Sequence, residues 1–352
     1  MMTLPNDGGS IPSFDLTSLR ADHTRARALA KLRAILHDYG FFYLTGHGVS
    51  PALTNAVLGA AKRFFALPVE EKLAIEMVNS PHFRGYNPPG SEWTRGERDW
   101  REQLDVNTEA QAEPIGPETP AWKRLIGPNQ WPASQPDLKP LLLSYQAQAT
   151  RVGIEVLKAV ALALGQEETV FQDIYTPLPN QLLKIIRYPG RDVAESEQGV
   201  GAHKDGGLIT VLLQDKVPGL RVRAPDGDWV EAPPVPGTFV INTGEVLELA
   251  TEGYVIANQH DVVAPPAGVE RYSVAFFLGA RLDATVPLLA LPEELTAGKR
   301  GVTADPLNPL FREVGRNALK SRLRSHPDVA RRHHADLLSP EELDRPALAF
   351  AY

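Results

Sequence analysis

The sequence predicts an α+β protein in which a jelly-roll-type β core follows helices and precedes a helical C-terminal extension. Three observations point there. Seven short β-like runs lie between residues 181 and 285, separated by Pro, Gly and Asp turns; runs of that length and spacing suit a sandwich or barrel. Before them, apolar residues recur at helical spacing instead. Proline (31) and glycine (28) interrupt the chain so often that a helical bundle fits poorly. A length of 352 residues suits one large domain or two closely packed ones.

In chain order, residues 11–16 (IPSFDL) read as a short strand. Residues 19–39 have helical spacing, with Leu29, Leu32, Ile35 and Leu36 on one face and Gly40 as the stop. Residues 40–44 (GFFYL) form an apolar strand, residues 51–67 a second helix, and Pro68 with the acidic start PVEEK opens a short third. Residues 78–135 show no period and are rich in Pro, Trp, Arg and Glu; so long an irregular stretch is usually functional or flexible. Residues 140–164 carry the longest helical pattern, closed by Gly165. The strands follow as QLLKIIRY, GLITVLL, GLRVR, DWVEA, TFVIN, YVIAN and YSVAFFL. Beyond Val286 the chain is Pro-rich, and a basic helix-like segment spans about 310–338. The expected division is therefore 1–135, mostly helical with a substrate-side loop at 78–135; 136–285, the long helix and the β core; and 286–352, a C-terminal extension and candidate lid.

Composition removes whole classes of function. The net charge of −7 supplies no basic face for duplex nucleic acid. The absence of cysteine excludes disulfides, iron–sulfur clusters, Cys-ligated zinc and a thiol nucleophile. The first residues lack the basic-then-apolar order of a signal peptide, and no apolar run is long enough to span a membrane, so a cytoplasmic protein without membrane partners is expected.

The first constellation with chemistry is His203-Lys204-Asp205, followed 55 residues after Asp205 by His260. Two histidines and a carboxylate can cap one face of an Fe(II) ion and leave three positions open. On an extended strand, residues i and i+2 share a side, so His203 and Asp205 could hold one metal, with His260 arriving from a later strand. The pair alone is equally a surface histidine beside a turn aspartate. The second constellation is Arg271-Tyr272-Ser273, eleven residues after His260 on the strand RYSVAFFL. Arg271 and Ser273 share a face; a guanidinium forks onto a carboxylate and a hydroxyl adds a third bond. An arginine aimed into a β core is costly unless it meets an anion. Tyr188, ending KIIRY, could donate to the same anion. His333 and His334 lie in a charged run and read as solvated. The order His-x-Asp, His, Arg-x-Ser within one β-rich stretch is far more specific than any of its parts.

The sequence resembles the isopenicillin N synthase-like family of non-haem Fe(II) oxygenases, mostly 2-oxoglutarate-dependent. The likeness spans most of the chain: IPSFDL, HDYGFFYLTGHGVS and FFALPVEEK in the N-terminal half, then LLKIIRYP, GAHKDGGLITVLLQDKVPGLRV, GTFVINTGEVLELAT, NQHDVV and RYSVAFFL in the order of a double-stranded β-helix core. It implies an Fe(II)/2-oxoglutarate-dependent dioxygenase that oxidises a C–H bond of a small molecule with O2, chiefly by hydroxylation, releasing succinate and CO2. It implies His203, Asp205 and His260 as the metal ligands and catalytic centre, and Arg271, Ser273 and Tyr188 around the distal carboxylate of 2-oxoglutarate. Three departures stand out. Ile186 occupies a position where many members carry Asn, leaving the 2-oxoglutarate site one polar contact short. Asp261 follows the distal histidine where a basic residue is frequent, and Lys204 separates the two ligands and reads as a surface residue. Ile186 and IRYP keep a second reading open, a 2-oxoglutarate-independent oxidase of the isopenicillin N synthase type. An ethylene-forming enzyme and a non-catalytic jelly-roll binding protein are further alternatives.

For the substrate, the expectation rests on residues 82–107, which carry Arg84, Tyr86, Trp93, Arg95, Arg98, Trp100 and Arg101. HFRGY loosely resembles the segment that supplies a substrate-binding arginine in isopenicillin N synthase. Arg84, with Tyr86 beside it, is thus the candidate for an anionic group, and a carboxylate-bearing substrate is expected. Glu92, Glu97, Asp99, Glu102 and Asp105 cancel the positive charge of the stretch and argue against single-stranded nucleic acid.

Overall fold

A computed structural model describes residues 11–94, 96–302 and 309–344 of the chain. Its elements run β1 (Ser13–Asp15), α1 (Asp22–Asp38), β2 (Phe41–Thr45), α2 (Pro51–Phe65), α3 (Val69–Leu73), β3 (Gly85–Asn87), β4 (Trp93–Thr94), β5 (Glu97–Arg98), β6 (Glu102–Asn107), α4 (Leu138–Ala163) and α5 (Gln172–Tyr175). Then come β7 (Asn180–Tyr188), β8 (Gln198–His203), β9 (Ile209–Gln214), β10 (Leu220–Arg223), β11 (Trp229–Glu231), β12 (Phe239–Thr243), α6 (Glu245–Ala250), β13 (His260–Val263) and β14 (Arg271–Gly279). The C-terminal helices are α7 (Glu293–Thr296), α8 (Val314–Ser325), α9 (Pro327–His333) and α10 (Pro340–Asp344).

Two sheets build the jelly roll. The larger has the order β1-β2-β12-β9-β14-β7-β6-β3, the smaller β11-β10-β13-β8, and β4-β5 is a separate hairpin. Strands of the large sheet are buried on both faces, which is why β7 and β14 read as continuous apolar runs rather than alternating ones. Along β7, Leu183 and Ile185 join the cluster built with α1, α2 and α4. Ile186 and Tyr188, on the other face, pack with Val200, Leu220, Val222 and Val262 of the small sheet. A side chain on the inner face at the mouth of the roll therefore faces the small sheet, and that geometry makes the site.

The structure departs from the sequence expectation in three places. Besides the two expected strands β1 and β2, the region 1–135 places β3 and β6 in the large sheet. β6, which pairs along its whole length with β7, lies in the stretch that shows no period. YVIAN is not a strand; it crosses as coil, its backbone tied by Ile256 N to the Leu36 carbonyl and by Ala257 N to Glu248. No helix of the described residues is long and apolar enough to cross a membrane.

Candidate active site

β8 and β13 run antiparallel with His203 directly opposite His260, and the two rings sit 4.2 Å apart. β8 ends at His203, and the chain turns so that Asp205 swings back toward both. Its Oδ1 is 3.6 Å from His203 Nε2 and 3.8 Å from His260 Nε2. One ligand atom from each of the three residues lies within 4.8 Å of the others. Each group is fixed from behind. Thr210 Oγ1 of β9 and Asn242 Nδ2 of β12 both donate to Asp205 Oδ2 at 2.6 Å, so Oδ1 is left for the histidines. The Gly201 carbonyl takes the His203 Nδ1 proton at 2.8 Å, and the Asn258 carbonyl stands 3.5 Å from His260 Nδ1. These bonds put the protons on Nδ1 and turn the Nε2 lone pairs toward Asp205.

The electrostatics agree with that arrangement. Burial, then the neighbouring His203, lowers the His260 pKa to about 4, so this imidazole is neutral at pH 7. Burial opposes ionisation of Asp205, but His260 and His203 outweigh it and hold the carboxyl far below its usual range. Burial also disfavours a charged His203, yet the adjoining Asp205 prevails and holds its pKa above the usual value. A neutral or deprotonable imidazole pair around a carboxylate is the donor set that suits a divalent iron.

Facing these groups across the roll, Arg271 of β14 is fully buried. Its Nη2 donates to Gln214 Oε1 at 2.9 Å, its guanidinium lies 4.9 Å from the Tyr188 ring centre, and its Nε and Nη1 have no partner. The Ser273 hydroxyl, on the same face, is also buried without a partner. A buried guanidinium with two idle donors beside an idle hydroxyl is a receptor for an anion. Gly219 makes room for it: a Cβ there would stand 3.2 Å from Arg271 Cδ, with φ at +150°. Ile186 lies opposite Ser273 in the ladder and offers that anion only apolar surface.

Other expected positions fall elsewhere. Arg84 is buried, but its guanidinium binds the Thr108 and Leu125 carbonyls and Asn129 Oδ1, tying loops together. Tyr86 points to the helix-facing side of the sheet, where its hydroxyl donates to Glu102 Oε2. The contacts seen for this pair are thus structural ones, with Arg84 Nε alone left without a partner. Arg98 stacks on Trp93 within the β4–β5 hairpin, and Arg95 lies outside the described residues. Asp261 does not face water: it forms a two-point pair with Arg221. Lys204 reaches the Glu248 carboxylate. His334, read as solvated, is buried flat against Phe83 with Nε2 on the Pro81 carbonyl. Sequence reasoning missed Thr210, Gln214 and Asn242; Thr210 and Gln214 share one face of β9 at an even spacing, but Leu212 stands between them and leaves no polar alternation to read.

Comparison with known proteins follows the same order along the chain. Residues 11–134 match the N-terminal family model of "non-haem dioxygenase in morphine synthesis", and residues 179–280 match that of the 2OG-Fe(II) oxygenase superfamily. The chain is 38% identical over 339 residues to the 2-oxoglutarate-dependent dioxygenase frbJ of Dothideomycetidae sp., covering 91% of this chain and 90% of that one. It is 36% identical over 294 residues to a homoarginine-6-hydroxylase of Arabidopsis thaliana, covering 81% of each. Among solved structures it resembles the rice dioxygenase for auxin oxidation, with a TM-score of 0.64 and 28% identity over 89% of this chain and 95% of that one. The fold also matches a full-length Neurospora crassa protein crystallised in complex with alpha-KG and thymine, with a TM-score of 0.72 and 24% identity over 91% of this chain and 98% of that one. With relatives of this identity aligned over nearly its whole length, the chain belongs to the 2OG-Fe(II) oxygenase superfamily, the isopenicillin N synthase-like non-haem dioxygenases, whose cofactors are Fe(II) and 2-oxoglutarate.

Proposed function

We propose that His203, Asp205 and His260 hold the iron, that Arg271 and Ser273 receive the distal carboxylate of 2-oxoglutarate with Tyr188 beside it, and that the enzyme hydroxylates a small molecule bearing a carboxylate. The observation that carries this reading is the set of idle donors, Arg271 Nε and Nη1 and the Ser273 hydroxyl, buried across the roll from the two histidines and the aspartate. Bound together, iron and 2-oxoglutarate supply the oxidising power: one oxygen atom of O2 enters the substrate C–H bond and the other enters succinate, with loss of CO2. The protein's own work is placement. Thr210 and Asn242 fix the Asp205 carboxylate, and Gly201 fixes the His203 ring. Phe41, 5.1 Å from the His260 ring, keeps that wall apolar and dry. Arg271 and Ser273 orient the keto acid by its far end, so that its reactive end is presented to the histidines. The names of several relatives, homoarginine-6-hydroxylases, support hydroxylation of a carboxylate-bearing small molecule.

The test is spectroscopic and then catalytic. Anaerobic protein loaded with Fe(II) should develop the weak visible charge-transfer band of a chelated keto acid when 2-oxoglutarate is added, and Arg271→Ala should weaken that band at equal 2-oxoglutarate. A screen of small carboxylic acids, with and without amino groups, should then reveal substrates by succinate release. A full-strength band in Arg271→Ala would remove Arg271 from the proposal.

A further inference from the structure

A second Arg-x-polar pair, Arg101-x-Gln103, stands at the start of β6, with Gln103 in line with Ser273 across the large sheet. Gln103 of β6 pairs with Ile186 of β7, which pairs with Ser273 of β14. Glu102 pairs with Arg187, and Arg101 comes immediately before that pair, on the side of the ladder toward Tyr188, the neighbour of Arg271. Two strand spacings separate the pairs, about 10 Å. Arg101 and Gln103 share a side: Glu92 accepts from Arg101 Nη2 at 2.6 Å through Oε2 and from Gln103 Nε2 at 3.0 Å through Oε1. Glu102 between them turns to the opposite face, toward Lys72 and Tyr86. A short relay ties the pair to the triad. Arg101 Nη2 lies 3.4 Å from Asp99 Oδ2, Asp99 Oδ1 accepts from Gly201 N at 3.0 Å, and the Gly201 carbonyl holds His203.

The charges around this pair are already matched. Lys184 lies 3.3 Å from Asp105 and 3.5 Å from Glu92, and Arg322 Nη1 binds Asp105 at 3.0 Å. What stays idle is one donor and one acceptor: Arg101 Nε, and Oε1 of Gln103, a residue only 1% exposed. Buried polar atoms are rarely left unpaired without a function. A ligand that satisfied both would bring a carboxylate to the guanidinium and an N–H group to the amide oxygen.

We propose that Arg101 and Gln103 form the subsite that grips the α-amino-acid head of the substrate, carboxylate on Arg101 and ammonium on Gln103. This rests on the Fe(II)/2-oxoglutarate reading above and narrows its substrate to amino acids. Arg101 and Gln103 set specificity, while Arg271 serves the cosubstrate.

The experiment takes whichever of L-arginine, L-homoarginine and L-lysine releases most succinate, with its α-carboxamide and its desamino acid. With wild-type enzyme each analogue should lose about tenfold or more in kcat/KM. Arg101→Lys keeps a charge for Glu92 and Asp99 but removes the Nε of the fork. It should raise the amino-acid KM about tenfold, leave the 2-oxoglutarate charge-transfer band intact, and shrink the carboxamide penalty to about threefold or less. The intact band reports that the variant is folded and holds its cosubstrate. Three outcomes overturn the proposal. One is turnover of simple carboxylic acids with none of the amino acids, which leaves the Fe(II)/2-oxoglutarate reading standing. Another is analogues used as well as the amino acid. The third is an Arg101→Lys variant that loses affinity for 2-oxoglutarate instead of substrate. Absence of the band in wild type would strike the underlying reading, not the subsite.

Discussion

Asp205 divides its work between its two oxygens. Oδ2 is saturated by Thr210 and Asn242, and Oδ1 is turned to the histidines. Removing the Asn242 amide should let the carboxylate rotate. Asn242→Leu is therefore expected to weaken Fe(II) binding about 10- to 100-fold, the usual cost of losing an outer hydrogen bond to a metal ligand. Anaerobic Fe(II) titration would measure it, with circular dichroism to check the fold; unchanged affinity would mean that Thr210 alone suffices. This scale also shows what a sequence can and cannot carry. His203, Asp205 and His260 were legible from their order along the chain, although Asp205 reaches the histidines through the turn after β8 and not by strand alternation. Arg271 and Ser273 do lie on one strand, β14, at the alternation the sequence suggests. Arg84 was singled out through the likeness of HFRGY, which could not show that its guanidinium is held by backbone carbonyls of loops 24 and 41 residues away. Carbonyls leave no trace in the residue code.

Among the elements, β6 is the instructive one. Its sequence, EQLDVN, shows no clean alternation, because polar side chains point to both faces. On one side Gln103 and Asp105 join the charged cluster with Glu92 and Lys184. On the other, Glu102 meets Lys72 at 2.9 Å, the Tyr86 hydroxyl and Arg187. Hydrophobic periodicity finds strands that bury apolar faces and is blind to one that buries ion pairs. YVIAN is the converse: apolar and buried, yet coil, because its backbone groups are satisfied by Leu36, Thr243 and Glu248 rather than by a ladder. Glu102 is nearly fully buried, and so is its partner Lys72. Glu102→Gln would leave that ammonium without its counter-charge, at an expected cost of about 3–5 kcal/mol. Denaturant unfolding should register it, and a change below about 1 kcal/mol would mean that desolvation cancels the pairing in the native protein.

At the scale of the molecule, the C-terminal segment closes over the charged cluster that begins in β6, a long-range arrangement that local patterns do not encode. Its basic residues do not simply dissolve in solvent. Arg322 of α8 reaches Asp105, and His326 sets its Nε2 3.4 Å from Glu92. Beyond it, His334 stacks on Phe83, and His333 binds the Val78 carbonyl. Leu319 and Val329 complete a small core with Met77, Phe83 and Leu125. This docking should depend on acidity. Burial, only partly countered by Glu92 and aided by Arg322 and Lys184, lowers the His326 pKa to about 4. Burial also lowers that of His334, although its Pro81 hydrogen bond pulls the other way. Both histidines therefore bind protons more weakly docked than released. Between pH 6.5 and pH 4 the released segment takes up protons that the docked one refuses, so its stability is full above about pH 6.5 and falls as the pH is lowered. Hydrogen exchange across α8 and α9 should quicken steadily over that window while β7 and β14 stay protected. His326→Gln removes one titrating ring and should flatten the profile. Exchange that is independent of pH, once corrected for the intrinsic rate, would show that the two histidines do not govern the docking, which Leu319, Val329 and the Arg322–Asp105 pair would then hold.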